Sequence, residues 1–361
     1  MGKEKAEIIF HSKQVDAVIL TSPANMRYMA GFCGEGYVYL SEKKQFLVTD
    51  SRYTIAAKKE SPDFETICYH ADSQAGSREK DLHPGSEEEH IQRLGFEDLN
   101  MTVAEYEKLK NELEGKDVIL VPLGNSVKQL RQIKEDWEFH RIRQAEAIGD
   151  RAFKRLLGEV KAGMTEKQVA ARLEFFMKEE GAEGLSFDTI AASGPHSAMP
   201  HAVPTDRKLT KGDLLTMDFG CLYQGYCSDM TRTIAIGKVS EEQRKIYDVV
   251  KKAQETALAG IRPGMTGAQI DKLARDVIKK AGYGEYFGHA LGHSVGLEIH
   301  ESPNFSPREE TVIRPGMVIT VEPGIYVEGV GGVRIEDVVV ITEDGCENIT
   351  HSAKEWIEVE E

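Results

Sequence analysis

The chain contains an internal repeat in which both copies carry an acidic residue at the same position. The first copy spans residues 212–220 and holds Asp218, and the second spans 316–324 and holds Glu322, an offset of 104 residues. Each copy begins and ends with glycine, and an apolar run precedes each acid. A segment written twice to one pattern is expected to fold twice, so the repeat predicts two related half-domains.

A second acid follows the first in each copy: Asp229 follows Asp218, and Glu336 follows Glu322. Side chains alternate along a strand, so each hairpin is expected to present both of its acids to one side. Carboxylates that share a buried face are costly unless a cation compensates them. Four acids brought together by a repeat therefore predict a metal site, and hence an enzyme.

The repeat also extends upstream of the acids. Gly-Met-Thr ends at Thr165 in the first half and at Thr266 in the second, and a helical pattern follows each time. Threonine is a favourable N-cap residue because its hydroxyl accepts a hydrogen bond from a free backbone N–H of the first turn. Each half is therefore expected to contain a helix, a connection and an acid-bearing hairpin, with a shared site at a pseudo-twofold axis.

Composition is typical of a globular protein and argues against several kinds of partner. The 361 residues and 40.2 kDa leave room for two domains. A formal net charge of −15 disfavours nucleic acid and anionic membranes as partners, since both attract basic surfaces.

The sequence also predicts where the protein is located. No apolar window approaches the roughly 20 residues of a membrane span, and the first residues lack a signal-peptide core. Five scattered cysteines without a Cys-x-x-Cys pair indicate a reducing, cytoplasmic location.

The first part of the chain alternates strand-like and helical segments, which is typical of an α/β domain. The predicted strands are 15–20, 36–40, 45–49, 64–69 and 118–121, and the predicted helices are 53–60 and 103–113. Pro122 ends the last strand, which places a domain boundary near Asn125. Residues 1–124 are then an α/β domain expected to control substrate access and dimerisation, and residues 125–361 are the catalytic domain. Long helices that pack on a sheet are predicted between 126 and 161.

Histidines cluster beside the acids. The glycine-rich segment 288–301 contains His289, His293 and His300, and its glycines allow close backbone approach. A second pair, His196 and His201, lies shortly before the first hairpin. A single histidine is usually a core or surface residue, but this clustering favours a role in the predicted metal site.

These motifs resemble those of the metal-dependent Xaa-Pro peptidases of the aminopeptidase P and prolidase group. That group shares the pita-bread fold with methionine aminopeptidases and creatinases. The resemblance covers the whole chain and is most specific from about residue 193 to residue 337. It implies a mixed α/β fold, with an N-terminal creatinase/prolidase-like α/β domain followed by a pita-bread domain.

The resemblance also implies roles for individual residues. The family's five metal ligands correspond to Asp218, Asp229, His293, Glu322 and Glu336. Asp229 and Glu336 are then expected to bridge two ions, with Asp218 on one ion and His293 and Glu322 on the other. His201 and His300 are expected to contact the substrate and stabilise the transition state, and His289 is expected to line the pocket.

The donor set itself narrows the choice of metal and mechanism. Four carboxylates and one imidazole suit Mn²⁺ or Co²⁺, with Zn²⁺ possible, and do not suit metals that prefer thiolates. Two ions about 3.5 Å apart can share a water and acidify it into a nucleophile. Glu322 is the best candidate for carrying the proton to the leaving nitrogen, and His201 and His300 can donate to the oxyanion.

Other residues near these motifs have less specific interpretations. Arg334 shares a strand face with Glu336 and is expected to orient ligands or bind a substrate carboxylate, with a structural ion pair as the alternative. Cys221 and Cys227 are interpreted as small core residues. For Arg52 and Tyr53, a local structural contact is favoured over a role in the active site of a partner subunit.

The leading hypothesis is hydrolysis of the bond before proline at the amino terminus of a short peptide, by a homodimer. The nearest alternative is a prolidase restricted to Xaa-Pro dipeptides. Some prolidases carry a basic residue soon after the His-Glu pair, whereas position 304 is Asn and the next basic residue is Arg308, which favours the aminopeptidase. A methionine aminopeptidase is disfavoured by the large amino-terminal domain, and a non-catalytic peptide-binding module by the complete ligand set. A two-metal phosphatase or nuclease is disfavoured by the acidic balance.

Overall fold

The computed structural model describes residues 2–69 and 90–359. It divides into two compact units between Arg131 and Gln132, which places the short helix after Asn125 in the first unit. Among the described residues, no helix combines the length and apolarity needed to cross a membrane.

Unit 1 is a mixed α/β unit built on one sheet. Its helices are α1 (Gly2–Lys13), α2 (Pro23–Ala30), α3 (Thr54–Glu60), α4 (Val103–Glu112) and α5 (Ser126–Leu130). Its strands are β1 (Ala17–Leu20), β2 (Tyr37–Ser41), β3 (Gln45–Asp50), β4 (Glu65–Tyr69), β5 (Arg93–Phe96) and β6 (Ile119–Pro122). The strand order is β4-β3-β2-β1-β5-β6, and β1 is antiparallel to β2 but parallel to β5.

The sequence pattern identified most of this sheet. The hairpin β2–β3 and the strands β1, β4 and β6 lie where apolar runs predicted them, and so do α3 and α4. The pattern missed α1, α2 and β5. α1 has charged residues on most of its surface, and β5 contains a glycine, Gly95, where a side chain would meet Leu123 at 2.7 Å. Close packing against neighbouring elements explains that glycine, and such packing cannot be recognised from local composition.

Between residues 132 and 359, unit 2 contains four long helices and several mostly antiparallel sheets. Its helices are α6 (Asp136–Leu156), α7 (Glu166–Glu179), α8 (Glu241–Gly260) and α9 (Gly267–Lys280). Its strands in the first half are β7 (Gly184–Leu185), β8 (Ile190–Ser193), β9 (Asp213–Phe219), β10 (Cys221–Tyr223), β11 (Tyr226–Cys227) and β12 (Met230–Ile236). Those in the second half are β13 (Gly292–Ser294), β14 (Glu301–Phe305), β15 (Val318–Val321), β16 (Gly324–Val327), β17 (Gly331–Arg334), β18 (Asp337–Ile341), β19 (Cys346–Asn348) and β20 (Glu358–Val359).

The repeat in the sequence is a repeat in the structure. A helix pair packs on a sheet in each half: α6 and α7 cover the sheet of β20-β12-β9-β8, and α8 and α9 cover the sheet of β14-β13-β15-β18-β19. Each helix pair and its sheet enclose a separate hydrophobic core. The predicted caps are confirmed, because Thr165 and Thr266 each accept a hydrogen bond from the glutamine three residues later.

Backbone conformation repeats as well. Gly212 and Gly316 both have φ of +89° at the turn before the acid-bearing strand. That region of conformational space favours glycine because other residues place Cβ against the backbone there. The conserved position of glycine in the two copies therefore has a conformational cause, and it sets the start of β9 and β15 in the same way.

The second acid of each half lies at a break in its hairpin, directly before a strand. Asp229 lies between β11 and β12, and Glu336 lies between β17 and β18. The interruption occurs at the same place in both halves. The backbone N–H of Glu336 donates to the carbonyl of Thr231 across the two halves at 3.1 Å, which joins these two interrupted strands.

Candidate metal centre

Nine site residues expected from the sequence line one cavity of about 530 Å³ in unit 2. These residues are His201, Asp218, Asp229, His289, His293, His300, Glu322, Arg334 and Glu336. They come from both halves of the repeat. In the first half, Asp218 lies in β9 and Asp229 directly precedes β12; in the second half, Glu322 directly follows β15 and Glu336 directly precedes β18. The cavity therefore lies where the two half-domains meet.

Three of the expected ligands already have atoms at metal-binding spacing. One oxygen each from Asp229 and Glu336 and one ring nitrogen of His293 all lie within 4.8 Å of one another. Nε2 of His293 is 3.4 Å from Oδ2 of Asp229 and 3.5 Å from Oε1 of Glu322. One imidazole nitrogen thus faces two separate carboxylates.

The protonation state of His293 determines which of its ring nitrogens can bind a metal ion. Burial, together with nearby His300, lowers the pKa of His293 to about 4, so the ring is neutral near pH 7. Its Nδ1 lies 3.2 Å from the carbonyl oxygen of Ser294, which can only accept, so Nδ1 carries the proton. The lone pair on Nε2 then points at carboxylate oxygens. Acceptors that face each other need a cation between them.

The buried carboxylates of the cavity also repel one another. Burial, followed by repulsion from neighbouring carboxylates, raises the pKa of Asp229 and of Glu336 well above the usual range. Burial also raises the pKa of Glu322 to about 8, although Arg334 acts in the opposite direction. These carboxyls are compatible with ionisation only when positive charge lies among them.

Asp218 supplies a further sign that these residues suit a cation. Its Oδ2 accepts a hydrogen bond from Nη2 of Arg334 at 2.6 Å. Its Oδ1 is buried and has no hydrogen-bond partner among the described residues. A buried carboxylate oxygen without a partner is rare in folded proteins. The residues therefore fit divalent metal: oxygen donors predominate, one imidazole nitrogen joins them, and their unpaired atoms converge.

Thr231 and Thr320 hold two of the acids in place. The hydroxyl of Thr231 donates to Oε2 of Glu336 at 2.6 Å, and the hydroxyl of Thr320 lies 3.2 Å from Oε1 of Glu322. Hydrogen bonds of this kind orient carboxylates that bind metal.

Arg334 connects this acid cluster to a histidine on the cavity wall. Its Nη1 donates to the hydroxyl of Tyr326 at 2.8 Å, and that hydroxyl lies 3.0 Å from Nε2 of His289. Nδ1 of His289 is 2.8 Å from the carbonyl of Ala290 and therefore donates to it. Burial and the charge of Arg334 lower the pKa of His289 to about 4, so the ring is neutral and Nε2 accepts from Tyr326.

His201 and His300 lie on separate segments of the wall. The rings of His300 and His293 are 4.4 Å apart between centroids. His201 follows the 3₁₀ turn Gly194–Ala198, and its side chain is exposed. By contrast, His196, for which the clustering of histidines predicted a role in the site, does not line the cavity. Its Nδ1 lies 2.9 Å from Oε2 of Glu166 instead.

The remaining residues discussed from the sequence lie outside the cavity. Cys221 and Cys227 are buried, and burial raises the pKa of the Cys221 thiol to about 12, which leaves it unreactive near neutral pH. In unit 1, Arg52 pairs with Asp50 and Glu35, which are local contacts.

Two polar residues beside the site were missed from the sequence. Tyr326 shares the period-two pattern of Glu322 and Gly324, and this pattern was a usable signal. Glu146 lies on the apolar face of α6 and accepts a hydrogen bond from the backbone N–H of Asp229 at 2.8 Å. An acid within an apolar helical stripe was the signal in that case.

Comparison with known proteins agrees with this geometry. Residues 140–343 match the Metallopeptidase family M24, and residues 4–133 match the Creatinase/Prolidase N-terminal domain. The chain belongs to metallopeptidase family M24. It is a peptidase with a mixed α/β fold, in which a creatinase-like N-terminal domain precedes the M24 domain.

Relatives in this family match over nearly their full length. An uncharacterised peptidase of Bacillus subtilis (strain 168) is 46% identical over 358 residues, which is 99% of each chain. The structure of an Xaa-Pro dipeptidase from Bacillus anthracis is 42% identical, with a TM-score of 0.93, over 99% of this chain and 100% of that one. The structure of an X-Pro aminopeptidase from Thermotoga maritima MSB8 is 38% identical, with a TM-score of 0.90, over 98% of this chain and 100% of that one.

Proposed function

We propose that this M24 peptidase hydrolyses the peptide bond between an amino-terminal residue and proline, using two divalent metal ions. The observation that carries the proposal is the convergence of four carboxylates and Nε2 of His293 in one cavity. The names of the Bacillus anthracis and Thermotoga maritima relatives support a substrate with proline in the second position.

Five residues would hold the ions: Asp218, Asp229, His293, Glu322 and Glu336. When bound, such ions supply Lewis acidity at the scissile carbonyl and lower the pKa of the nucleophilic water. Manganese is the metal that we propose first on the basis of the oxygen-rich donor set. A homodimeric assembly and a cytoplasmic location stay predictions from the sequence.

The remaining chemistry belongs to side chains of the protein. A carboxylate oxygen of Glu322 would take the proton from the nucleophilic water and return it to the proline nitrogen as the bond breaks. His201 and His300 would donate to the oxygen on which negative charge develops. His289, held as a neutral ring by Ala290 and Tyr326, would form part of the wall against which the substrate packs.

The cavity favours substrates that continue beyond proline. Arg334 is the one Lys or Arg among its described lining residues, and its guanidinium is engaged by Asp218, Tyr326 and Thr231. Asn304, a neutral residue, also lines the cavity. Among the described lining residues, no further Lys or Arg is therefore positioned to bind the free carboxylate of a dipeptide. This supports an aminopeptidase.

A prolidase restricted to dipeptides is the second candidate. The observation that favours it is the name of the Bacillus anthracis relative, an Xaa-Pro dipeptidase that is 42% identical.

Turnover of matched peptides discriminates between the two. The protein is chelated, reloaded with Mn²⁺ and assayed on Ala-Pro, Ala-Pro-Ala and Ala-Ala-Ala. We expect release of alanine from Ala-Pro-Ala and little release from Ala-Ala-Ala. Turnover of Ala-Pro without turnover of Ala-Pro-Ala would establish the prolidase instead. Equal turnover of the two tripeptides would refute proline specificity, and the chelated protein and an Asp229→Asn variant serve as inactive controls.

A further inference from the structure

Glu166 is a buried carboxylate to which the metal site gives no role. It is the first residue of α7, and its side chain has no exposed surface. An acid in the first turn of a helix usually interacts with the free N–H groups there. In α7, however, Thr165 and Gln168 form the cap, and the side chain of Glu166 is directed at a different segment.

Five hydrogen-bonding groups from that segment converge on Glu166. At one end, the backbone N–H and the hydroxyl of Ser193 donate to Oε1 at 2.7 and 2.8 Å. At the other end, the backbone N–H and the hydroxyl of Thr205 donate to Oε2 at 3.0 and 2.6 Å. Nδ1 of His196 lies 3.0 and 2.9 Å from the two oxygens. One carboxylate therefore ties together both ends of segment 193–205.

This segment carries part of the cavity wall. Residues 200–204 line the cavity, and His201 is the residue among them that we propose as an oxyanion donor. No hydrogen bond joins the His201 ring to another residue in the described ranges 2–69 and 90–359. Its position therefore depends on the backbone of the segment. Glu166 binds both ends of that backbone, while Arg334 contacts the carbonyl of Pro200 and Gly332 contacts the hydroxyl of Ser197 between those ends.

The second half of the repeat indicates that Glu166 is not a remnant of duplication. Its equivalent is Gly267, the first residue of α9. A Cβ at Gly267 would lie 2.2 Å from the carbonyl oxygen of Asn304, so no carboxylate can occupy that place. The cap is common to both halves, whereas the buried carboxylate is specific to the half that carries His201.

The charge of Glu166 is maintained by the same contacts. Burial works to raise its pKa, but the hydrogen bonds from Thr205, Ser193 and His196 outweigh burial and lower the pKa. The carboxylate is therefore ionised near neutral pH. Hydrogen bonds to an ionised acceptor are stronger than those between neutral groups.

We propose that Glu166 is a positioning residue that holds His201 at the cavity by fixing both ends of segment 193–205. This inference rests on the proposed peptidase function for the role of His201, but the anchoring itself does not. Displacing a reacting group by about 1 Å can reduce a rate about 100-fold, so an anchor distant from the reaction centre can control turnover.

Glu166→Gln tests the proposal because it preserves size but replaces one acceptor oxygen by a donor. Both oxygens of Glu166 accept hydrogen bonds, so the amide must leave at least one donor unmatched. We expect kcat/KM for Ala-Pro-Ala to fall by about 10- to 100-fold, mainly in kcat. In a His201→Ala background the same substitution should change kcat/KM by less than about threefold, because the effects of substitutions at coupled residues are not additive.

Glu97→Gln is the matched control. Glu97 is a buried carboxylate of unit 1 that also accepts from two backbone N–H groups, those of Thr21 and Ser22. This variant should leave kcat/KM within twofold of the parent protein. If Glu166→Gln does not fold, Thr205→Val removes one donor while leaving the carboxylate intact, and it should show the same dependence on His201 with a smaller loss.

Amide hydrogen exchange provides a readout that does not require catalysis. Exchange of residues 194–204 should become at least about tenfold faster in Glu166→Gln and stay unchanged in Glu97→Gln. Unchanged exchange in segment 194–204 would overturn the anchoring, and equal losses of kcat/KM with and without His201 would overturn its action through that histidine. If the parent protein fails to cleave any proline peptide, the peptidase proposal fails, while the exchange measurement still decides the anchoring.

Discussion

Arg334 donates from Nη2 to Oδ2 of Asp218 at 2.6 Å, so the second half of the repeat supplies the counter-ion for the first acid of the first half. Arg334 is buried, and its other donors contact Tyr326, Thr231 and the carbonyl of Pro200. A guanidinium in this position balances part of the negative charge of the acid cluster before any metal binds. It also explains why Asp218 tolerates a site shared with three other acids.

We expect Arg334→Met to lower the free energy of unfolding of the chelated protein by about 3–5 kcal/mol, because removing one partner of a buried pair leaves the other charge uncompensated. The measurement is denaturant unfolding at pH 7. Arg143→Met is the control, because Arg143 and Glu347 form an exposed pair that should contribute no more than about 1 kcal/mol. Equal losses in the two variants would contradict a buried counter-ion role.

The sequence predicted the repeat, the caps and the cavity residues because each has a local signature. Glycines at matched positions mark turns with positive φ, and Gly-Met-Thr marks a helix start. The acids were found because two copies carry them. The family resemblance identified His293 among the histidines, and the structure brings it to the acids.

What the sequence missed depends on contacts between distant parts of the chain. Glu146 and Asp229 are 83 residues apart, and Glu166 reaches Ser193 and Thr205 from another element. The breaks in the strands at Asp229 and Glu336 were also not predicted, although both acids line the cavity with Asp218 and Glu322 as strand alternation predicted. Interruptions of this kind depend on packing between the two halves, and no local pattern encodes them.

Metal binding should stabilise the protein through the acid cluster. Adding Mn²⁺ to the chelated protein at about 100 times its dissociation constant should raise the free energy of unfolding by about 2.7 kcal/mol. Glu336→Gln removes a ligand that we propose for both ions, and it should abolish most of this increase. Asp248→Asn, at an exposed acid paired with Arg244, should retain it. Thermal unfolding and titration calorimetry measure both effects, and an unchanged response in Glu336→Gln would contradict the ligand assignment.

Stability should depend on pH through Glu166. Its pKa in the folded protein lies below the ordinary value of 4.5 because the hydrogen bonds to its carboxylate outweigh burial. The carboxylate therefore stabilises the fold at pH values above 4.5, and this contribution is lost as the pH falls through the lowered folded pKa. The difference in unfolding free energy between the parent protein and Glu166→Gln should shrink as the pH falls below 4.5. A difference that grows on acidification would show that the pKa is raised.

Asn304 offers a direct test of the preference for longer peptides. It lies opposite His293 in the pairing of β13 with β14 and lines the cavity. Asn304→Arg adds a guanidinium where a free proline carboxylate can reach it, and a hydrogen bond between charged groups contributes about 1.5–3 kcal/mol. We expect the ratio of kcat/KM for Ala-Pro to that for Ala-Pro-Ala to rise about tenfold or more. Asn304→Ala removes the amide without adding charge and should leave the ratio within about threefold of the parent protein. If both variants change the ratio equally, the size of the side chain rather than its charge determines which peptides are accepted.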